Sequence, residues 1–172
     1  MAGALADIDL LRRTVDFSLR AIEADEARVI NALQTSAATE LINHLRTFRL
    51  QRSVLAIGVF SIYESLLQDE FGWSEPFTEL SAVLCGEERD ELSDTFGDYL
   101  KAINVLKHGL GRSHNMLVAK SEVLDFDIKP NYESFFEEGD VSEGQQLIDV
   151  GNEFVTRCIE LIEQTLNVAR SA

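Results

Sequence analysis

LINHLRTFRLQRSVLAIGVFSIYESLLQDEF, residues 41–71, is the stretch on which the fold turns. Leu41, Leu45, Phe48, Leu55, Val59, Ile62 and Leu66 recur at steps of three, four and seven, with no proline among them, which is the spacing of one helix face. From Val54 to Ile62 the run is apolar nearly all round, and this predicts a helix at the centre of the core. Upstream, Ile8, Leu11, Val15, Leu19 and Ile22, continued by Val29, Ile30 and Leu33, trace the apolar side of a long first helix.

Downstream, Gly72, Ser74 and Pro76 end the central helix and open a short one, with Ser74 as the expected cap and Pro76 in the first turn. Leu92, Phe96, Tyr99, Ile103, Leu106 and Leu110 mark another amphipathic helix that runs into Gly109 and Gly111. Leu124, Phe126 and Ile128 alternate with Asp125 and Asp127, a period of two that predicts a short β-hairpin insertion near residues 116–129. Ser142 and Gln145 match a capping box, and Leu147, Phe154, Cys158, Ile162 and Leu166 follow as the face of the last helix. Ser121 to Val141 is the irregular part. The expected fold is all-α: a single domain over residues 1–172, a bundle of about four long helices plus short ones.

A chain of 172 residues that is 45% hydrophobic and 26% charged excludes a disordered polymer and can bury a core without metal or disulfide. The longest wholly apolar run, Val54 to Phe60, falls short of the ~18 residues that span a bilayer. Asp7 and Asp9 stand where a signal peptide needs apolar residues, so a cytoplasmic protein without a membrane anchor is expected. Cys85 and Cys158 form no CxxC pair and have no histidine nearby, which points to reduced thiols. Asp125, Asp127, Glu133, Glu137, Glu138 and Asp140 match no EF-hand spacing and read as a solvated acidic loop, so no metal or cofactor is expected.

The net charge of -15 argues against a broad nucleic-acid surface, but the charge is unevenly spread. Leu41 to Tyr63 and Leu100 to Ser121 hold no acid, seven Lys or Arg residues and all three histidines. Arg46, Arg49 and Arg52 form a slowly turning stripe in the first segment. Lys101, Lys107, His108, Arg112 and His114 crowd the second. If the helices bearing the two segments pack together, they share one local positive site on an acidic body, suited to a phosphate or an acidic peptide.

Within INVLKHGLGRSHNML, residues 103–117, histidines able to exchange protons near neutral pH stand beside cations able to neutralise a phosphorane. Metal-independent RNA cleavage needs that pairing. The plainer reading of the same residues is a helix C-terminus, where cations are favourable and glycines end the turn.

The segments RSVLAIGVFSIYESLLQDEF (52–71) and NVLKHGLG (104–111), in that order, resemble the HEPN superfamily, helical-bundle proteins of bacterial conflict and toxin–antitoxin systems. In that family the central apolar helix often carries a Glu where Glu64 stands. Active HEPN ribonucleases have an Arg followed by a polar residue, with a His after four to six intervening positions. Here Lys107, polar His108 and then His114 approximate that motif, with Lys in place of Arg and without its bidentate fork.

By this resemblance His114 is the acid–base group, Lys107 the phosphate cation and His108 an accessory polar group. Arg112, Arg46, Arg49, Arg52 and Lys101 complete an anion- or RNA-binding surface. The resemblance also implies a homodimer in which two motifs face one cleft. Two classes remain open: an RNA-directed protein, cleaving or degenerate, or a non-catalytic immunity, antitoxin or accessory protein whose acidic surface covers a basic toxin or enzyme.

Overall fold

The computed structural model describes residues 3–35, 38–131 and 146–172. The described residues form six α-helices: α1 (Gly3–Leu33), α2 (Thr39–Phe71), α3 (Pro76–Gly86), α4 (Asp90–His108), α5 (Arg112–Val118) and α6 (Asn152–Ser171), with a 3-10 turn at Ser121–Val123. The all-α bundle is thus the architecture. α2 is its hub and packs against α1, α3, α4 and α6.

The core follows the apolar spacing. Ile8, Leu11, Val15, Leu19, Ile22 and Val29 of α1 are buried, as are Ala56, Val59, Phe60, Tyr63 and Leu67 of α2. Two aromatic groups fill the interior. Phe60, Tyr63, Phe77 and Phe96 join α2, α3 and α4, with Phe60 and Phe96 stacked at 5.7 Å. Tyr99, Phe126 and Phe154 join α4 to α6, with Tyr99 and Phe154 stacked at 4.9 Å. Such pairs add to area burial through ring electrostatics. Trp73 stacks on Phe71 at 4.5 Å and plugs the α2–α3 junction against the core.

Helix ends are set locally. Gly72 closes α2 in the left-handed region, φ 69°, where a Cβ would be strained, and its N–H donates to Gln68 O. Gly109, also at positive φ (73°) but with ψ -142° rather than the left-handed helical value, ends α4, its N–H donating to Val105 O. Pro76 occupies the first turn of α3 as expected, but the cap position is Glu75 and not Ser74.

Three expectations change. No hairpin forms near 116–129: residues 116–118 finish α5, a 3-10 turn follows, and Ile128 makes a single antiparallel bridge with Ile148. The alternation there places Phe126 under Tyr99 and Phe154 in one extended stretch, whose partner lies beyond residues 132–145 and not in an adjacent arm. Leu147 belongs to that bridge and precedes α6, which begins at Asn152. The capping box Ser142–Gln145 lies outside the described residues.

The third change concerns α2. By length and composition it passes for a membrane-crossing helix, yet one side of it is core. The opposite side is open, because Val54 and Ile62 are exposed where an all-round buried helix was expected.

Candidate functional site

α2 and α4 pack antiparallel, because Leu50 and Ser53 share a depression with Val105 to Gly109, whereas Phe60, Ser61 and Glu64 share another with Leu100 to Lys107. The C-terminal turn of α4 therefore lies beside the arginine-bearing part of α2, and the two acid-free segments meet. Lys107 and His108 occupy that last turn, where the helix dipole favours cations. Both are exposed, as are Arg46 on α2 and Arg112 at the first turn of α5. Among the described residues none of these four side chains has a hydrogen bond or ion pair.

Lys107 and His108 are neighbours in sequence but point 100° apart on the helix. Lys107 lines a cavity of about 210 Å³ with Asn104, Ser61 and Glu64 over a floor that includes Phe60 and Phe77. His108 lines a separate depression of about 410 Å³ with Leu50, Ser53 and Gln146. Ser61 was not singled out from sequence, and Asn104 entered only as the first residue of the NVLKHGLG segment, not as a site residue. Asn104 sits three residues before Lys107, on the same helix face, and that spacing was the available signal.

The other expected site residues are committed elsewhere. His114 is only 2% exposed, and its Nε2 donates to Lys129 O at 2.9 Å. Acid–base catalysis needs hydrogen-bond reach to the substrate proton, and a ring buried and held this way offers none. Its Nδ1 is also buried, with no partner among the described residues. His114 thus locks α5 to the Ile128 bridge segment, a role set by packing that spacing does not reveal.

Arg52 is 6% exposed and holds three helices together: it pairs with Glu26 of α1, and its Nε donates to Asn152 Oδ1 of α6 at 2.7 Å. Its guanidinium is taken up by Glu26 and Asn152 inside the bundle. Lys101 donates to Gly97 O at 3.0 Å and Asp98 Oδ1 at 3.2 Å, while Lys120 reaches Asp98 Oδ2 at 2.5 Å. Asp98 is buried and takes both lysines, so Lys101 is spent on neutralising it. Arg49 is half-buried.

The remaining reactive groups are quiet. Both cysteines are free; burial pushes the Cys158 thiol up, which keeps it protonated, and Cys85 is exposed. Burial likewise raises the Tyr99 phenol, with Asp125 adding to the shift. No protein-family model, curated protein or solved structure matches this chain.

Proposed function

We propose that this protein binds RNA, or another phosphate-bearing ligand, along the α2–α4 surface, as a HEPN-like protein of bacterial defence or toxin–antitoxin type. The observation that carries the reading is that exposed Arg46, Lys107, His108 and Arg112 sit on elements packed in succession, α2 against α4 and α4 against α5, in an otherwise acidic chain. Glu64, placed as in the resembled family, lines the cavity that Lys107 enters. With His114 buried, His108 is the histidine of the Lys107–His114 motif left exposed for proton transfer. Metal-independent cleavage needs a base and an acid, so the geometry favours binding over catalysis.

Fluorescence anisotropy with a labelled single-stranded RNA tests this. Lys107→Ala combined with Arg112→Ala should weaken binding about tenfold, the loss expected for two phosphate contacts. Absence of binding, or equal binding by the double variant, overturns the reading. A parallel digestion in EDTA should leave the RNA intact; cleavage that disappears in His108→Ala would assign an endoribonuclease to this surface instead. The alternative is a non-catalytic binder whose acidic surface covers a basic toxin or enzyme. Asp125 is paired with Arg157 at 3.6 Å, and Glu133, Glu137, Glu138 and Asp140 lie outside the described residues.

A further inference from the structure

Four polar side chains converge on the cavity of about 210 Å³ between α2 and α4: Ser61 and Glu64 from one helix, Asn104 and Lys107 from the other. Among the described residues none of the four has a hydrogen bond or ion pair. Opposite charges that meet between other helices are closed. Arg12 of α1 reaches Glu163 of α6 at 2.5 Å, Arg170 of α6 reaches Glu70 of α2 at 2.7 Å, and Arg52 pairs with Glu26. Glu64 and Lys107 instead line one cavity and leave it open between them. Unspent donors and acceptors around an enclosed space are what a ligand site requires.

Size and polarity choose the ligand. The cavity is smaller than the roughly 300–1,000 Å³ of sites for drug-sized molecules, so it takes one ring system and not a whole nucleotide. Glu64 only accepts hydrogen bonds, Lys107 only donates them, and Asn104 and Ser61 do either. Half-buried Phe77 offers an aromatic ring beside them. A phosphate inside the cavity would meet the Glu64 carboxylate, so an anionic group stays outside, with exposed Lys107.

We propose that this cavity takes a guanine base, with the phosphate of the same nucleotide held outside it by Lys107. Guanine is the base whose pairing edge sets two neighbouring donors, N1–H and N2–H, beside an acceptor, O6. The two donors suit the two oxygens of the Glu64 carboxylate, and O6 suits the amide N–H of Asn104. Adenine and cytosine carry a ring-nitrogen lone pair where guanine has N1–H, and uracil has one donor between two acceptors. Each of them turns a lone pair toward Glu64. Stacking on Phe77 serves any base alike, so the ring supplies affinity and the carboxylate supplies the choice. The same chemistry belongs to a guanosine within RNA and to a free guanosine phosphate, and the first source rests on the RNA binding already proposed.

Fluorescence anisotropy with two labelled oligouridines, one carrying a central guanosine and the other an adenosine there, tests this, with fluorescent GMP as a second probe. The full chain should favour the guanosine strand about tenfold, the discrimination of one bidentate base contact. Glu64→Gln should bring the two strands within about twofold of each other. It should keep the wild-type urea midpoint, because Glu64 is exposed and unpaired among the described residues. Asn104→Ala should reduce the preference about threefold, the worth of one neutral hydrogen bond. Lys107→Ala should weaken both strands in proportion, which separates the phosphate contact from the base contact. A guanosine preference that survives Glu64→Gln overturns the proposal. If the strands bind equally, RNA binding stands without this site, and if neither binds, RNA binding itself fails. In both cases GMP decides. Binding that Glu64→Gln abolishes upholds the guanine site for a free nucleotide, whereas no binding, or equal binding by the variant, overturns it.

Discussion

The His114 ring is held from one side. Nε2 carries a proton, because its partner Lys129 O only accepts, and the buried Nδ1 has no partner among the described residues. Such an atom is tolerable only where packing around the ring outweighs it. Truncation removes the bond and leaves a cavity, so His114→Ala should destabilise the fold by about 2–3 kcal/mol, read as a lowered urea midpoint. RNA affinity measured well below that midpoint should not change. A stable variant that has lost RNA affinity would return His114 to the binding surface. Arg52 carries the same lesson, since its guanidinium is enclosed between Glu26 and Asn152 while Arg46, six residues earlier, is exposed.

α2 and α6 are tied along their length by polar contacts that the apolar pattern does not announce. Arg52 meets Asn152, Tyr63 Oη lies 2.9 Å from Thr165 Oγ1, and Arg170 grips Glu70 through Nε and Nη2 at 2.7 and 2.8 Å. The Arg170 hydrogen bonds hold the Glu70 carboxyl below its ordinary value of 4.5. A carboxyl lowered on folding stabilises the protein at pH above its unfolded value and loses that contribution as pH falls through the folded one. Glu70→Gln should therefore cost about 1 kcal/mol at pH 7, a figure typical of a well-formed bidentate pair. The gap to wild type should narrow below pH 4.5 and vanish at lower pH. Urea titrations across that range measure it, and a gap independent of pH would mean the carboxylate charge is irrelevant.

At the scale of the whole molecule, a net charge of -15 limits how many phosphates can be held. If Arg46, Lys107 and Arg112 are the contacting cations, the logarithm of the RNA association constant should fall with the logarithm of salt at a slope of about -2. A slope several times steeper would require a larger basic surface than the fold presents. The bundle itself was legible in sequence because buried residues of α1, α2, α4 and α6 repeat at helical spacing. The β-hairpin was misread because alternation reports an extended stretch without naming its partner. Ile148 lies beyond residues 132–145, outside the range in which pattern speaks.

The candidate site was legible only in part. Sequence by itself determined that the chain is helical, where the helices end at Gly72 and Gly109, and that the basic residues gather in two acid-free segments. These depend on local spacing and backbone preference, which a linear pattern carries. Only the tertiary structure decided which cations remain exposed, that His114 turns inward, and that half of the most apolar helix faces out. Those outcomes depend on which elements pack against each face, and side chains three residues apart on one helix can then meet a carboxylate, the core or solvent.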